Sequence, residues 1–382
     1  MTLTLLAAAF RSIPGALYRE LRTLGSRGPA EWEPLKPVLS VLVAVGVATL
    51  LRLDDLSWAA FSGYMVMRGD VRETILRGFN RMAGTAGGAV AGLMLAPTVA
   101  DNPALLIGAL FVVSWVGNYR ALTSRYSYAW MFFGLTAGMV VTQALARPDA
   151  IVHFAATRVA EVSVGTMSCL LVASLFARDS VPRRNLPGPS RSPALPWRDW
   201  LSEASLERRW PLFEHSTRSA LAVATLPFVW RWFEMHDFPQ TAVTTYIVMI
   251  VPAVVVCELR HQTIFERMIH RTLGCLFGCV TAIASIALFN GALPGLLITL
   301  CAGVWLAYHV QTGREGVGYL GTQFALGLLI TLVQGPGPSM SIAPGLERLL
   351  GIVIGSAMLC LITLFWPLPE IRAAGSSPYR AS

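Results

Sequence analysis

The sequence predicts an all-α, polytopic membrane protein of about twelve transmembrane helices, arranged as two parallel six-helix repeats with amphipathic interfacial helices. Three observations carry that expectation. Only 14% of the 382 residues are charged while 54% are hydrophobic, and the mean hydropathy is +0.56, a balance that a soluble domain of this length rarely shows. Apolar runs broken by short polar stretches recur along the whole chain, as expected where each span must satisfy its own backbone hydrogen bonds in lipid. Residues that are scarce inside apolar runs also return at an offset of 190 positions: Arg77 with Arg267, Arg81 with Arg271, Gly84 with Gly274, Gly88 with Gly278, Trp115 with Trp305, Arg158 with Arg348 and Gly165 with Gly355. Two units of six crossings each are parallel, so their symmetry axis lies along the membrane normal with a pathway at or beside the shared interface.

Taken in order, residues 1–35 are a lead-in. Leu3, Leu6, Phe10, Ile13, Leu17, Leu21 and Leu24 recur at three- and four-residue steps among Arg11, Arg19 and Arg22. This reads as an interfacial amphipathic helix kinked near Pro14 and not as a cleaved signal, since no basic residue precedes its short apolar run. The first repeat, 36–178, contains apolar runs at 37–51, 57–67, 83–97, 104–117, 128–145 and 155–177. The run 57–67 is short for a span: it either extends through Asp54 and Asp55 or is a broken helix, tolerated only inside protein or beside a wet cavity. Between the second and third runs, Ile75, Leu76, Phe79 and Met82 share one side of a helix and Arg72, Glu73, Arg77, Asn80 and Arg81 the other. That pattern predicts a helix lying at the membrane surface with its arginines toward phosphates and water. Gly84, Gly88 and Gly92 then step by four, which suits close approach of another backbone.

Residues 179–214 are a Pro- and Arg-rich linker in which Trp197, Trp200, Leu201 and Ala204 suggest a second surface helix. The second repeat, 215–367, has runs at 219–233, 240–257, 273–289, 293–310, 317–333 and 345–366, and 368–382 is a tail. Twelve crossings put both termini on one side. The N-terminal segment up to Lys36, the stretch 178–218, the loops 68–82, 118–127, 258–271 and 311–316 and the C-terminal tail hold all but five of the 30 basic residues; Arg52, Arg147, Arg158, Arg231 and Arg348 lie opposite. The positive-inside bias makes the termini cytoplasmic. It also accounts for the net charge of +8 without nucleic acid.

No nucleophile motif, phosphate loop or metal spacing stands out, which points away from an enzyme and implies no cofactor. The six cysteines lie in or at the ends of apolar runs and read as small packing residues; Cys275 and Cys279 are one turn apart, with no His or carboxylate to complete a metal site. The informative groups are ionisable residues near or within spans. Two readings fit Arg158 and Arg348: a planar fork that draws an organic anion into the pathway, or a structural ion pair or snorkelling side chain. Glu161 and Glu347 are the matching partners, or proton carriers. Arg77, Arg81, Arg267 and Arg271 ring the cytoplasmic mouth, where they concentrate anions or bind anionic lipid headgroups. Trp115 and Trp305 either stack on an aromatic ligand or belong to an interfacial belt.

The stretch RETILRGFNRMAGTAGGAVAG, followed three spans later by RVAEVSVGTMSCLLVASLF, resembles the fusaric acid resistance and aromatic acid exporter superfamily. The second copy, ERMIHRTLGCLFG with RLLGIVIGSAMLCLITLFW, is similar in outline. The resemblance covers nearly the whole chain beyond residue 35. It implies bacterial inner-membrane efflux of aromatic or related organic acids drawing on the proton gradient, with a periplasmic adaptor protein as partner in some members. The plant aluminium-activated malate channels look like distant relatives that pair two six-span protomers. The rival expectations are a passive organic-anion channel and a non-transporting scaffold of an envelope assembly.

Overall fold

The computed structural model describes residues 13–25, 32–99, 102–177, 203–233, 261–335 and 341–366. The helices are α1 (13–21), α2 (Leu35–Leu50), α3 (Leu56–Val66), α4 (Val71–Val99), α5 (Pro103–Thr123), α6 (Ser127–Ala146), α7 (Ile151–Leu175), α8 (Glu203–Phe233), α9 (His261–Phe289), α10 (Leu293–Gln311), α11 (Gly318–Leu332) and α12 (Ala343–Phe365). A single 3-10 turn, Pro148–Ala150, leads into α7. Among the described residues, six helices are long and apolar enough to cross a membrane, and no strand interrupts them. The protein is therefore an all-helical polytopic membrane protein. The expected span at 240–257 lies outside the described residues.

Local chemistry explains several boundaries. Asp55 N-caps α3, its carboxylate accepting from Ser57 N at 3.1 Å and Ser57 Oγ at 2.5 Å. Asn102 caps α5 by accepting from Ala104 N and Leu105 N, with Pro103 at the first helical position. The α9–α10 turn places Asn290 and Gly291 at φ 47° and 74°, the left-handed region those two residue types tolerate best.

Glycines set the packing. A side chain at Gly84 would strike the carbonyl of Ala129, and one at Gly88 that of Phe133; in the second half Gly274 meets Leu320 O and Gly278 meets Phe324 O. α4 thus lies backbone to backbone along α6, and α9 along α11. The neighbours repeat too: α5 packs on α6 and α4 on α7, as α10 packs on α11 and α9 on α12. Between the halves, α2 meets α10 and α5 meets α8. In order of appearance α8 corresponds to α2 and α10 to α5, so these two contacts are one relation seen twice. The largest apolar core straddles this junction, joining Val41, Ala59, Tyr64 and Cys169 to Ala282, Val304, Leu328 and Leu329.

Three expectations change. The surface helix at 68–82 and the span at 83–97 are one helix, α4; Arg72 and Glu73 are exposed as expected, but from Leu76 to Arg81 the polarity is the reverse of the one expected. Leu76 and Phe79 are 58% and 61% exposed while Arg81 is 0% exposed. A helix inside a bundle in lipid turns its apolar residues outward and its polar ones toward protein. The loop expected at 258–271 is likewise helical from His261, so Arg267 and Arg271 belong to α9. α8 begins at Glu203, crosses the expected boundary at 214/215 and makes Ala204 part of the helix that carries the expected seventh span; Trp197, Trp200 and Leu201 lie outside the described residues. Residues 13–21 of the N-terminal segment are helical, and Ile13 and Ala16 dock on Ile269, Val310, Val317 and Leu320, so this part rests on protein.

The short run 57–67 resolves as the broken-helix alternative. α3 is capped by Asp55, so it stops short of Asp54, and all its residues but Met65 are buried. Both ends are tied to the second half. Leu56 N donates to Gln334 O at 3.2 Å, and Tyr64 Oη bonds Gln311 Oε1 at 2.6 Å.

Candidate functional site

α3, α4, α6, α9, α11 and α12 enclose a cavity of about 250 Å³ between the halves. On α11 its lining runs from Tyr319 to Ile330, about 16 Å along the helix at 1.5 Å per residue. The described residues that line it include five arginines, Arg68, Arg77, Arg267, Arg271 and Arg348, and no Asp or Glu. Between the arginines lie aromatic and aliphatic faces: Trp58, Phe61, Phe132, Leu135, Leu326 and Ile330.

The arginines are held by rings and oxygens. The guanidinium carbon of Arg77 is 3.8 Å from the ring centre of Tyr128, and its Nε donates to Met65 O at 3.2 Å. Arg267 sits 4.9 Å over Tyr319. A desolvated cation over such a ring gains about 2 kcal/mol or more, which helps retain its charge away from water. Arg81 lies between Phe132 at 4.1 Å and Phe61 at 4.6 Å, and donates to Ser62 Oγ from Nε and Nη2 at 3.1 and 2.8 Å. Arg271 Nη1 donates to Gln323 Oε1 at 3.2 Å. Arrayed guanidiniums beside flat apolar walls can take a carboxylate at one end and a ring at the other.

The sequence-expected residues divide. Arg77, Arg267, Arg271 and Arg348 converge on the cavity, although they come from three helices up to 271 positions apart. Arg81 is buried behind the wall and does not line the cavity. Arg158 is also outside it, paired with Glu161 at 3.1 Å and Asp55 at 3.6 Å, with its guanidinium carbon 4.3 Å from Trp58. Glu161 Oε1 further accepts from Asp55 N at 2.9 Å. The ion-pair reading fits this pair, which backs the wall by bracing Trp58. Glu347 follows a separate course: it precedes Arg348 on α12 and does not line the cavity.

Trp115 donates to Thr217 Oγ1 at 3.2 Å and stacks on Tyr119, joining α5 to α8, and Trp305 stacks on His309. Neither lines the cavity. Cys275 and Cys279 donate across to carbonyls of α11, Gln323 O at 3.4 Å and Gly327 O at 3.7 Å, as packing residues.

The family model described as Fusaric acid resistance protein family matches residues 34–224, half of the chain, and the model Fusaric acid resistance protein-like matches 223–362. The chain belongs to the fusaric acid resistance protein family. Its relatives include the p-hydroxybenzoic acid efflux pump subunit AaeB of Escherichia coli O9:H4, 26% identical over 160 residues, which are 38% of this chain and 24% of that protein. The uncharacterized transporter YdhK of Escherichia coli strain K12 is 29% identical over 145 residues, 36% of this chain and 21% of that protein. The match thus spans about a quarter of each relative's length. No solved structure matches the chain.

Within this family member, sequence reasoning missed Tyr128 and Tyr319, Phe132 and Gln323, and Leu135 and Leu326, all of which line the cavity. The signal was present one register away. α4 and α9 match at an offset of 190, whereas α6 and α11 match at 191. A single extra residue before α11 hid the pairs from a fixed offset.

Proposed function

We propose that the chain exports small aromatic or related organic acids across the bacterial inner membrane, drawing on the proton gradient, with both termini cytoplasmic. The observation that carries the proposal is a central cavity with five arginines, flat aromatic walls and no carboxylate among the described residues that line it. Such a cavity favours an anion with an apolar ring and disfavours cations and uncharged polar solutes. Its volume is below the roughly 300–1,000 Å³ common for drug-sized ligands, which suits a one-ring acid. The relative named as a p-hydroxybenzoic acid efflux pump subunit supports the same substrate class, as does membership of the family.

The halves then act as two six-span units around the cavity, and alternating exposure of the cavity to either side moves the acid. The test is uptake and release of labelled 4-hydroxybenzoate in proteoliposomes with an imposed pH gradient. The expected outcome is flux that collapses without the gradient and falls at least ten-fold in Arg348→Ala. Flux that is unchanged without the gradient makes the protein a passive channel, and no flux of any aromatic acid overturns the proposal.

A further inference from the structure

The offset of 191 that pairs Tyr128 with Tyr319 also pairs Phe132 with Gln323. This exchange separates the fates of two arginines that the sequence presents as duplicates. In the first half the Phe132 ring covers Arg81, Phe61 covers it too, and Ser62 Oγ takes two of its N–H groups. Arg81 is not part of the cavity lining. In the second half a carboxamide stands where that phenyl ring stands, and both Gln323 and Arg271 line the cavity.

The orientation of the carboxamide follows from its neighbours. Arg271 Nη1 lies 3.2 Å from it and Cys275 Sγ 3.5 Å. A guanidinium can only donate, so the oxygen must face Arg271 and the NH₂ group is directed elsewhere. Gln323 thereby fixes the plane of the guanidinium and adds its own N–H donors on the same wall. A carboxylate needs that combination: a fork held in one plane, with a further donor beside it.

We propose that Arg271, oriented by Gln323, anchors the substrate carboxylate, and that its counterpart Arg81 is a structural cation that takes no part in binding. Two halves built on one pattern have divided the work: one arginine holds α3, α4 and α6 together, and the other holds the acid. The inference rests on the reading of the cavity as an organic-acid site and adds to it the residue, the half and the donor set.

The test uses the purified full chain with 4-hydroxybenzoate as probe. The unfolding temperature is measured with and without the acid, and KM and kcat for its transport are measured in proteoliposomes. Arg271→Lys is expected to raise KM about ten-fold with kcat little changed, and to abolish the acid-induced rise in unfolding temperature. Gln323→Met is expected to act in the same direction, and it carries the test should Arg271→Lys fail to fold. Arg81→Lys is expected to lower the unfolding temperature of the acid-free protein while keeping both KM and the acid-induced rise. A wild-type protein with no acid-induced rise overturns the organic-acid reading and this inference with it. A rise that survives in both Arg271→Lys and Gln323→Met, or that disappears in Arg81→Lys, overturns the inference alone.

Discussion

Tyr128 and Tyr319 stand 191 positions apart, and each lies beneath a guanidinium, Arg77 at 3.8 Å and Arg267 at 4.9 Å. The two pairs face one cavity from opposite halves. Removing either ring should weaken the hold on its arginine without emptying the cavity of charge. We predict that Tyr128→Leu and Tyr319→Leu each raise KM for an aromatic acid several-fold, in line with about 1–2 kcal/mol per cation–π contact. Tyr128→Phe, which keeps the ring, should leave KM close to wild type. Transport kinetics in proteoliposomes check this.

The glycines of α4 and α9 make a structural prediction. Gly88→Leu and Gly278→Leu would drive side chains into the carbonyls of Phe133 and Phe324, an overpacking that costs about 1–3 kcal/mol or more. Gly46→Ala and Gly108→Ala meet nothing within 4 Å and should be neutral or slightly stabilising, because alanine is the better helix former. Thermal unfolding in detergent separates the two classes; equal losses at all four positions would refute the packing account.

Arg158 and Glu161 should behave as a structural pair. Glu161→Gln leaves a buried guanidinium short of its nearest carboxylate and is expected to cost about 3 kcal/mol, whereas the double variant Arg158→Met, Glu161→Leu should cost less than that single change. Because Arg158 lies behind Trp58 and not in the cavity wall, the double variant should keep measurable transport. A double variant that folds but carries no acid would instead place Arg158 in the pathway.

Glu20 joins the N-terminal helix to the loop between α10 and α11. It is buried, and its Oε2 accepts from Arg314 N at 3.0 Å and Glu315 N at 3.2 Å, while Arg19 pairs with Glu315 at 2.6 Å. Glu20→Ala removes the acceptor for two backbone N–H groups and should cost about 1–3 kcal/mol locally. The expected readout is faster hydrogen exchange at residues 312–317, with the exchange of α4 and α6 unchanged.

Much of the architecture was legible in the chain because its causes are local. Hydropathy marks where a helix enters lipid, and 3.6-residue periodicity and four-residue glycine steps belong to a single helix. The order of the helices, the doubled arginine–glycine motif and the membership of an exporter-like family all follow from the residues alone. The direction in which each arginine points does not. The same alternation in α4 suits a helix lying on the bilayer, with arginines in water, or a helix in a bundle, with arginines inside; what decides is Ser62, Phe61, Phe132 and Tyr128 packed opposite. Trp115 joins α8, Arg158 reaches Asp55 at the start of α3, and Gln323 meets Arg271, all for the same reason. In lipid the apolar face is free to turn outward, so a polar residue takes its role from whichever helix arrives across from it, and only the tertiary structure brings that helix there.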